Sequence, residues 1–402
     1  MKLQYVIPLF FFSAMYTGTV IGQDIEWPYD DYYTEYKLYI YAITNYDLHP
    51  TWHEKWENNL FRQNMLRLNY GSISNTELLS DARLVINEKV ANGLWFRYAT
   101  TYSATHHQNE QDKYFTVGFE KNIFNGFSLF VYGNPHFEKE EIDILYGVSF
   151  SNSQRSNYIR AALVDVDPFW NDKNNVNSYN VKRPWHISWE ANYRLGRLRF
   201  FSQGRYDNGT ERFFEVEPAS LDFDQQRQKS DDMVFKLCFY QNKNSFFEFS
   251  FTHYNFHEAK SFRFPFYDFD YQNRIDSYRL SYITPLADRY RLRLGSFYIR
   301  QRASARGYKS HDYKRQEFVP YVFGEMFAGP GIVELGYMLS NYQWDYVAPR
   351  PLDDDTRDDY IDKIKIAYTF NLQDRAYLQF SVSHVTMIQG FGGGNVQFWM
   401  QF

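Results

Sequence analysis

A single cysteine, Cys238, stands among 402 residues. An intramolecular disulfide framework and any multi-cysteine metal site are therefore excluded. No Lys/Arg block occurs, and 43 basic against 48 acidic side chains leave a net charge of −5; nucleic acid is not an expected partner. Beyond the N-terminus there is no run of about 18 apolar residues, so a helical membrane protein is ruled out. No Pro/Gly/Ser-rich linker or sustained charge run divides the chain, and one large domain is expected. No glycine-rich phosphate cradle opens a helix either; Gly390, Gly392, Gly393 and Gly394 read as a flexible loop. What the sequence has in excess is aromatic: 38 Phe, 36 Tyr and 9 Trp.

Lys2 precedes an apolar stretch from Tyr5 to Val20, and Val20-Ile21-Gly22 supplies small or modest residues before Gln23. Residues 1–22 read as a cleavable signal peptide. Residues 23–59, with Trp27, Tyr29, Trp52 and Trp56, are expected to form a periplasmic or lumen-associated segment.

From about residue 60 to the end, apolar and polar residues alternate with period 2 in segments of about ten residues, the dyad of membrane strands. Trp185, Ile187, Trp189, Ala191 and Tyr193 share one face, and His186, Ser188, Glu190, Asn192 and Arg194 the other. Phe247, Phe249 and Phe251 alternate with Glu248, Ser250 and Thr252 in the same way. Such segments number 18, or 16 if two weak ones merge or stay outside. Short turns, such as Asn92-Gly93 and Asn125-Gly126, alternate with longer loops, such as 169–183, 207–230, 257–274, 302–314 and 346–358. The expected fold is all-β, a closed antiparallel transmembrane β-barrel over residues 60–402 with short periplasmic turns and long extracellular loops. Closure follows because hydrocarbon offers no partner to an open sheet edge. Trp185, Tyr193, Tyr206, Tyr282 and Trp344, near strand ends, are expected in the interfacial girdles.

Signal peptide, dyad strands, alternating connections and the terminal segment Gln397 to Phe402 together resemble the Gram-negative outer-membrane β-barrel proteins, over about residues 60–402. The resemblance implies location in the cell outer membrane, a coat of outer-membrane lipid, and reading of the last strand, ending at Phe402, by the barrel-assembly machinery. The Gln23 junction and heavy Tyr/Phe/Asn usage are similar to exported proteins of Bacteroidota.

The water-facing positions carry the candidate site. Arg194, Arg197 and Arg199 flank one short turn, Arg289, Arg291 and Arg293 follow another, and Glu190 and Glu248 are candidate partners. Arg97, Arg205, Glu120 and Glu334 share the polar positions. Two readings stay open: an anion-attracting rim that biases passage, or Arg/Glu pairs that neutralise one another across adjacent strands. Aspartates at 353, 354, 355, 358 and 359 offer clustered carboxylates, but their spacing matches no EF-hand loop. His186 and Ser188 have the two-residue spacing of the outer-membrane lipid hydrolases, without the Asn and Gly that follow the serine there. No enzyme activity, metal or cofactor is expected. The expected function is a porin-like channel for passive or weakly selective diffusion of small hydrophilic solutes. The alternative is a non-conducting structural or assembly barrel whose loops bind envelope glycan, lipopolysaccharide or partner proteins.

Overall fold

The computed structural model describes residues 64–74, 77–105, 110–135, 142–152, 157–166, 168, 178–182, 184–214, 223–242, 245–262, 268–307, 310–347, 355–373, 376–386 and 390–402. The signal peptide, the 23–59 segment and the acids at 353 and 354 lie outside them. The strands are β1 (Met65–Ser74), β2 (Glu77–Ala91), β3 (Leu94–Thr105), β4 (Glu110–Phe124), β5 (Phe127–Pro135), β6 (Ile142–Ser151), β7 (Tyr158–Asp165), β8 (Ser178–Lys182), β9 (Trp185–Leu195) and β10 (Leu198–Asp207). They continue as β11 (Thr210–Phe214), β12 (Phe223–Tyr240), β13 (Phe246–Phe262), β14 (Phe269–Ala287), β15 (Tyr290–Gly307), β16 (His311–Ala328), β17 (Gly331–Val347), β18 (Asp355–Gln373), β19 (Ala376–Val385) and β20 (Gly390–Gln401).

Eighteen of these form one antiparallel ring. Each pairs with its neighbour, β7 passes directly to β9 and β10 to β12, and β1 closes the ring against β20 from Met65↔Gln401 to Ser72↔Gly394. At the seam the Phe402 amide donates to the Asn64 carbonyl at 3.0 Å. The other two strands, β8 and β11, pair with each other and continue the β9/β10 hairpin beyond Pro184 and Asn208. Tight turns lie at the end where β1 begins and β20 ends. At one of them Asn125 and Gly126 both take positive φ, 33° and 82°, as a two-residue turn matched to strand twist requires.

The wall is taller on one side. Strands β12 to β18 have 17 to 19 residues, whereas about 9 to 11 suffice to cross a bilayer. Much of what reads as loop in the sequence is therefore strand, including 210–214, 223–230, 257–262, 269–274, 302–307, 311–314 and 355–358. Gly390 to Gly394 likewise belong to β20, where Gly394 pairs with Val382 of β19 and Ser72 of β1. Above the lipid the outward face meets water and is polar while the inward face still buries Tyr271, Ala303, Ala305 and Tyr313, so the apolar-out, polar-in contrast that marks a membrane strand is lost although backbone pairing persists.

Outward positions are apolar toward the short-turn end. Phe239, Phe247, Phe249, Tyr278, Leu280, Leu294, Val322, Leu335, Ile366 and Phe370 are all exposed, as a lipid-facing band demands. Trp185, Tyr193 and Tyr206 are exposed and Tyr282 is half-buried; the side chain of Trp344 is outside the described set. Inward positions bury polar groups instead, among them Glu120, Arg160, Asn192, Arg199, Lys236, Glu248, Arg279, Arg293, Glu325, Glu334 and Lys365.

Candidate functional site

Four inward aromatic rings lie against glycines of neighbouring strands. An added Cβ would meet Phe130 at 2.0 Å from Gly147, Tyr132 at 2.7 Å from Gly118, Tyr321 at 2.3 Å from Gly295 and Phe323 at 2.1 Å from Gly336. A ring with no Cβ beneath it can lie along the wall rather than point at the barrel axis. Arginines then stack on two of the rings, Arg160 at 4.6 Å from the Phe130 centroid and Arg293 at 5.3 Å from that of Phe323. Phe130 is on β5 and Phe323 on β16, and in the ring order those strands are diametrically opposed, with nine strand steps either way. Both residues lie toward the short-turn end of their strands. Eighteen strands at about 4.8 Å spacing and about 40° tilt put roughly 35 Å between opposed backbones, so the two sites stay separate.

Around Arg160 the groups form a chain. Arg160 donates to the Tyr132 hydroxyl at 2.8 Å, and that hydroxyl lies 3.4 Å from Glu120 Oε2. Ser149 donates to Glu120 Oε1 at 3.3 Å, and the Arg160 and Glu120 charges themselves are 3.9 Å apart. Beside this chain opens a recess of about 380 Å³, lined among others by Arg97, Phe130, Tyr132, Arg160, Ser188, Glu190, Gln203 and Arg205. Arg97 is hydrogen-bonded to the neutral amide of Asn87 at 3.4 Å, and Arg205 donates to Ser230 Oγ at 2.5 Å. The recess thus gathers three guanidinium groups and the Glu190 carboxylate, whose Oε1 accepts the Tyr158 hydroxyl.

Around Arg293 the charges close on one another. Arg293 donates to Glu325 Oε1 at 2.9 Å and to Glu334 Oε2 at 3.3 Å. Arg291 donates to Glu325 Oε2 at 2.6 Å, and Lys365 lies 3.7 Å from Glu334 Oε1. Glu325 and Glu334 are directly opposite in adjacent strands, an arrangement that repels unless a cation bridges it. Arg293 bridges it.

The two arginine groups expected from the sequence lie at the same end of the barrel, on hairpins separated by β12 and β13, but they do not act as six equivalent charges. Arg194, Arg197 and Arg289 are exposed, with Arg194 over the Tyr240 ring at 4.9 Å. Arg199 is buried and donates to Asn192 Oδ1 at 3.2 Å. Arg291 and Arg293 are engaged by carboxylates. Glu248 pairs with Arg279 across β13 and β14, with Cys238 Sγ 3.9 Å from its other oxygen.

His186 and Ser188 are both half-buried, and no hydrogen bond joins them among the described residues. The polar groups next along that strand are taken up elsewhere, Glu190 by Tyr158 and Asn192 by Arg199. Among the described residues no group of three or more His, Cys, Asp or Glu side chains could hold a metal ion. Of the acids, Asp268 accepts the Phe262 amide at 2.8 Å and Asp270 pairs with His257 at 3.2 Å.

The sequence reading missed Arg160 and Glu325. In β7 the inward set Tyr158, Arg160, Ala162, Val164 is nearly as apolar as the outward Ile159, Ala161, Leu163, so the dyad gives no polarity signal there.

A closed antiparallel strand ring, apolar outside and charged within, defines an outer-membrane β-barrel: only a barrel or a helix satisfies every backbone group in lipid, and no described helix is long and apolar enough to cross a membrane. No protein-family model matches the sequence, and no curated protein matches it. Among solved structures, a bacterial polysaccharide outer membrane secretin is similar at 9% identity over 86% of this chain and 98% of its own, with a TM-score of 0.40. The loop L8 deletion mutant of OmpT, an outer membrane protein of Vibrio cholerae, is similar at 8% identity over 85% of this chain and 98% of its own, with a TM-score of 0.41. An outer membrane channel from Pseudomonas putida F1 gives 8% identity, 85% and 95% coverage and a TM-score of 0.37.

Proposed function

We propose that the barrel is a diffusion channel for small hydrophilic solutes, weakly biased toward anions by the recess arginines Arg97, Arg160 and Arg205. One observation carries this reading: an 18-strand ring, wide enough to leave an aqueous lumen, lines one wall with a recess in which three guanidinium groups converge. In a low-dielectric wall such groups raise the local anion concentration. The exposed Arg194, Arg197 and Arg289 add to the bias at the periplasmic mouth. Arg291, Arg293 and Glu248 serve the wall. Single-channel recording in a planar bilayer tests the reading, with discrete conductance steps and an anion-favouring reversal potential as the expected result.

The density of buried ion pairs around Arg293 supports a second reading, a non-conducting structural barrel whose outer surfaces bind envelope glycan or partner proteins. Membranes that stay closed despite verified insertion would select it. Neither reading uses catalysis or a cofactor. The terminal strand suits recognition by the barrel-assembly machinery: deleting Phe402, which seals the seam to Asn64, is expected to lower the amount of assembled barrel in cells. The Tyr/Phe/Asn-rich composition supports an exported protein of Bacteroidota type.

A further inference from the structure

On the tall side of the barrel the outer face changes character abruptly. Phe251, Tyr278, Tyr298 and Phe318 stand in register across β13, β14, β15 and β16; the last three are exposed, and the Phe251 and Tyr278 rings approach to 5.0 Å. Such a row marks the outer edge of the lipid band. Tyr298 reaches upward to Gln316 Oε1 at 3.2 Å. The next row on the same face is His253, Asp276, Arg300 and Gln316, and the row above it is Asn255, Arg274, Arg302 and Lys314. Arg302 lies four residues beyond Tyr298, about 13 Å along the strand, at the level of lipid headgroups.

Arg274, Arg302 and Lys314 are exposed and directly opposite one another on three adjacent strands. Like charges so placed destabilise a sheet. Asp276, held by Arg274 at 3.0 Å and by His253 at 2.6 Å, is the one carboxylate of these two rows on β14 to β16. Arg300, Arg302 and Lys314 have no hydrogen-bond or ion-pair partner among the described residues. Asp345 stands beyond Lys314 in register but makes no ion pair with it. Arg302 and Lys314 of this row, with Arg300 below them, are left unneutralised just above an aromatic edge, beside an Arg274 already paired with Asp276, and form a site completed by an anion from the membrane.

We propose that Arg274, Arg302 and Lys314, with Arg300 below them, bind the phosphate of an outer-leaflet glycolipid headgroup. Two guanidinium groups can each present paired donors to phosphate oxygens while the lysine adds a point charge. The lipid source is favoured over free phosphate because the aromatic row beneath would pack against the acyl chains of the same molecule.

The test uses the full-length barrel in non-ionic, phosphate-free detergent micelles, with added bis-phosphorylated lipid A, dephosphorylated lipid A or inorganic phosphate. Bound lipid is read by native mass spectrometry and stability by the heat-modification midpoint on gels. The wild-type protein is expected to retain lipid A and to unfold at higher temperature with it. Dephosphorylated lipid A and inorganic phosphate should give neither effect. The triple variant Arg274→Gln/Arg302→Gln/Lys314→Gln should lose binding by about tenfold or more, and the double variant Arg302→Gln/Lys314→Gln, which leaves the Arg274–Asp276 pair intact, should in lipid-free micelles be at least as stable as wild type because the repulsion between those two positions is gone. Equal lipid A binding by the triple variant, equal retention of the dephosphorylated lipid, or the same stabilisation by inorganic phosphate would overturn the proposal. Should the triple variant not assemble, Arg302→Gln alone carries the same test with the same expected direction.

Discussion

The two opposed arginine sites are built from the same parts, a glycine beneath an aromatic ring beneath a guanidinium, yet they differ in what surrounds the charge. Arg293 contacts two carboxylates, and Arg291 and Lys365 complete their coordination. Arg160 reaches Glu120 mainly through the Tyr132 hydroxyl and faces a recess shared with Arg97 and Arg205. The first arrangement is a close-contact brace between strands in which three cations share two carboxylates. The second leaves positive potential where a solute can meet it. Both groups set three cations against two carboxylates, so neither residue type nor carboxylate number separates a wall charge from a pore charge; how closely the charges contact one another does.

The largest expected effect lies at the brace. Glu325→Gln leaves Arg291 and Arg293 with Glu334 as the remaining carboxylate of the group, and removing one partner of a buried ion pair costs about 3–5 kcal/mol. Glu120→Gln should cost less, about 1–3 kcal/mol, because Arg160 keeps its hydrogen bond to Tyr132 and its stack on Phe130. Urea titrations of folding into lipid vesicles measure both, and a Glu120→Gln loss equal to that of Glu325→Gln would erase the distinction between the sites. The glycines sharpen it. At Gly147 an added methyl meets the Phe130 ring and also the Ala161 carbonyl at 2.6 Å, whereas at Gly336 the three nearest atoms all belong to the Phe323 ring. Overpacking of this kind costs about 1–3 kcal/mol, with Gly147→Ala expected to be the more damaging in the same titration.

How far the sequence reveals these features depends on what each strand face touches. Where one face meets lipid and the other water, as at Phe247, Phe249 and Phe251 against Glu248 and Ser250, the dyad is plain and all 18 ring strands can be counted. Above the membrane the contrast vanishes: Gln225 to Ser230 are polar without interruption, although they pair with Ser261 to Phe256. The brace is hidden for another reason. Arg293 and Glu325 are 32 positions apart, and only the β15/β16 register brings them together. The glycine-aromatic stacks need register too, since nothing local marks Gly336 as the floor under Phe323.

A smaller effect concerns permeation. Arg97→Gln removes a recess charge whose hydrogen-bond partner is neutral, so it should shift the reversal potential modestly toward cations while leaving stability within about 0.5 kcal/mol. The shift should shrink as salt rises from 0.1 M to 1 M and the screening length falls from about 10 to about 3 Å. A salt-independent shift would point to altered pore size rather than charge.

The most direct test of the channel assignment and of the contrast between the two sites is single-channel recording of wild type, Arg160→Gln and Arg293→Gln barrels under a salt gradient, with insertion verified by heat-modifiable migration. Discrete conductance, an anion-favouring wild-type reversal potential, a clear move toward cations for Arg160→Gln and a smaller one in those Arg293→Gln barrels that assemble are the expected results. Verified insertion with no current, or equal shifts from both variants, would contradict the account.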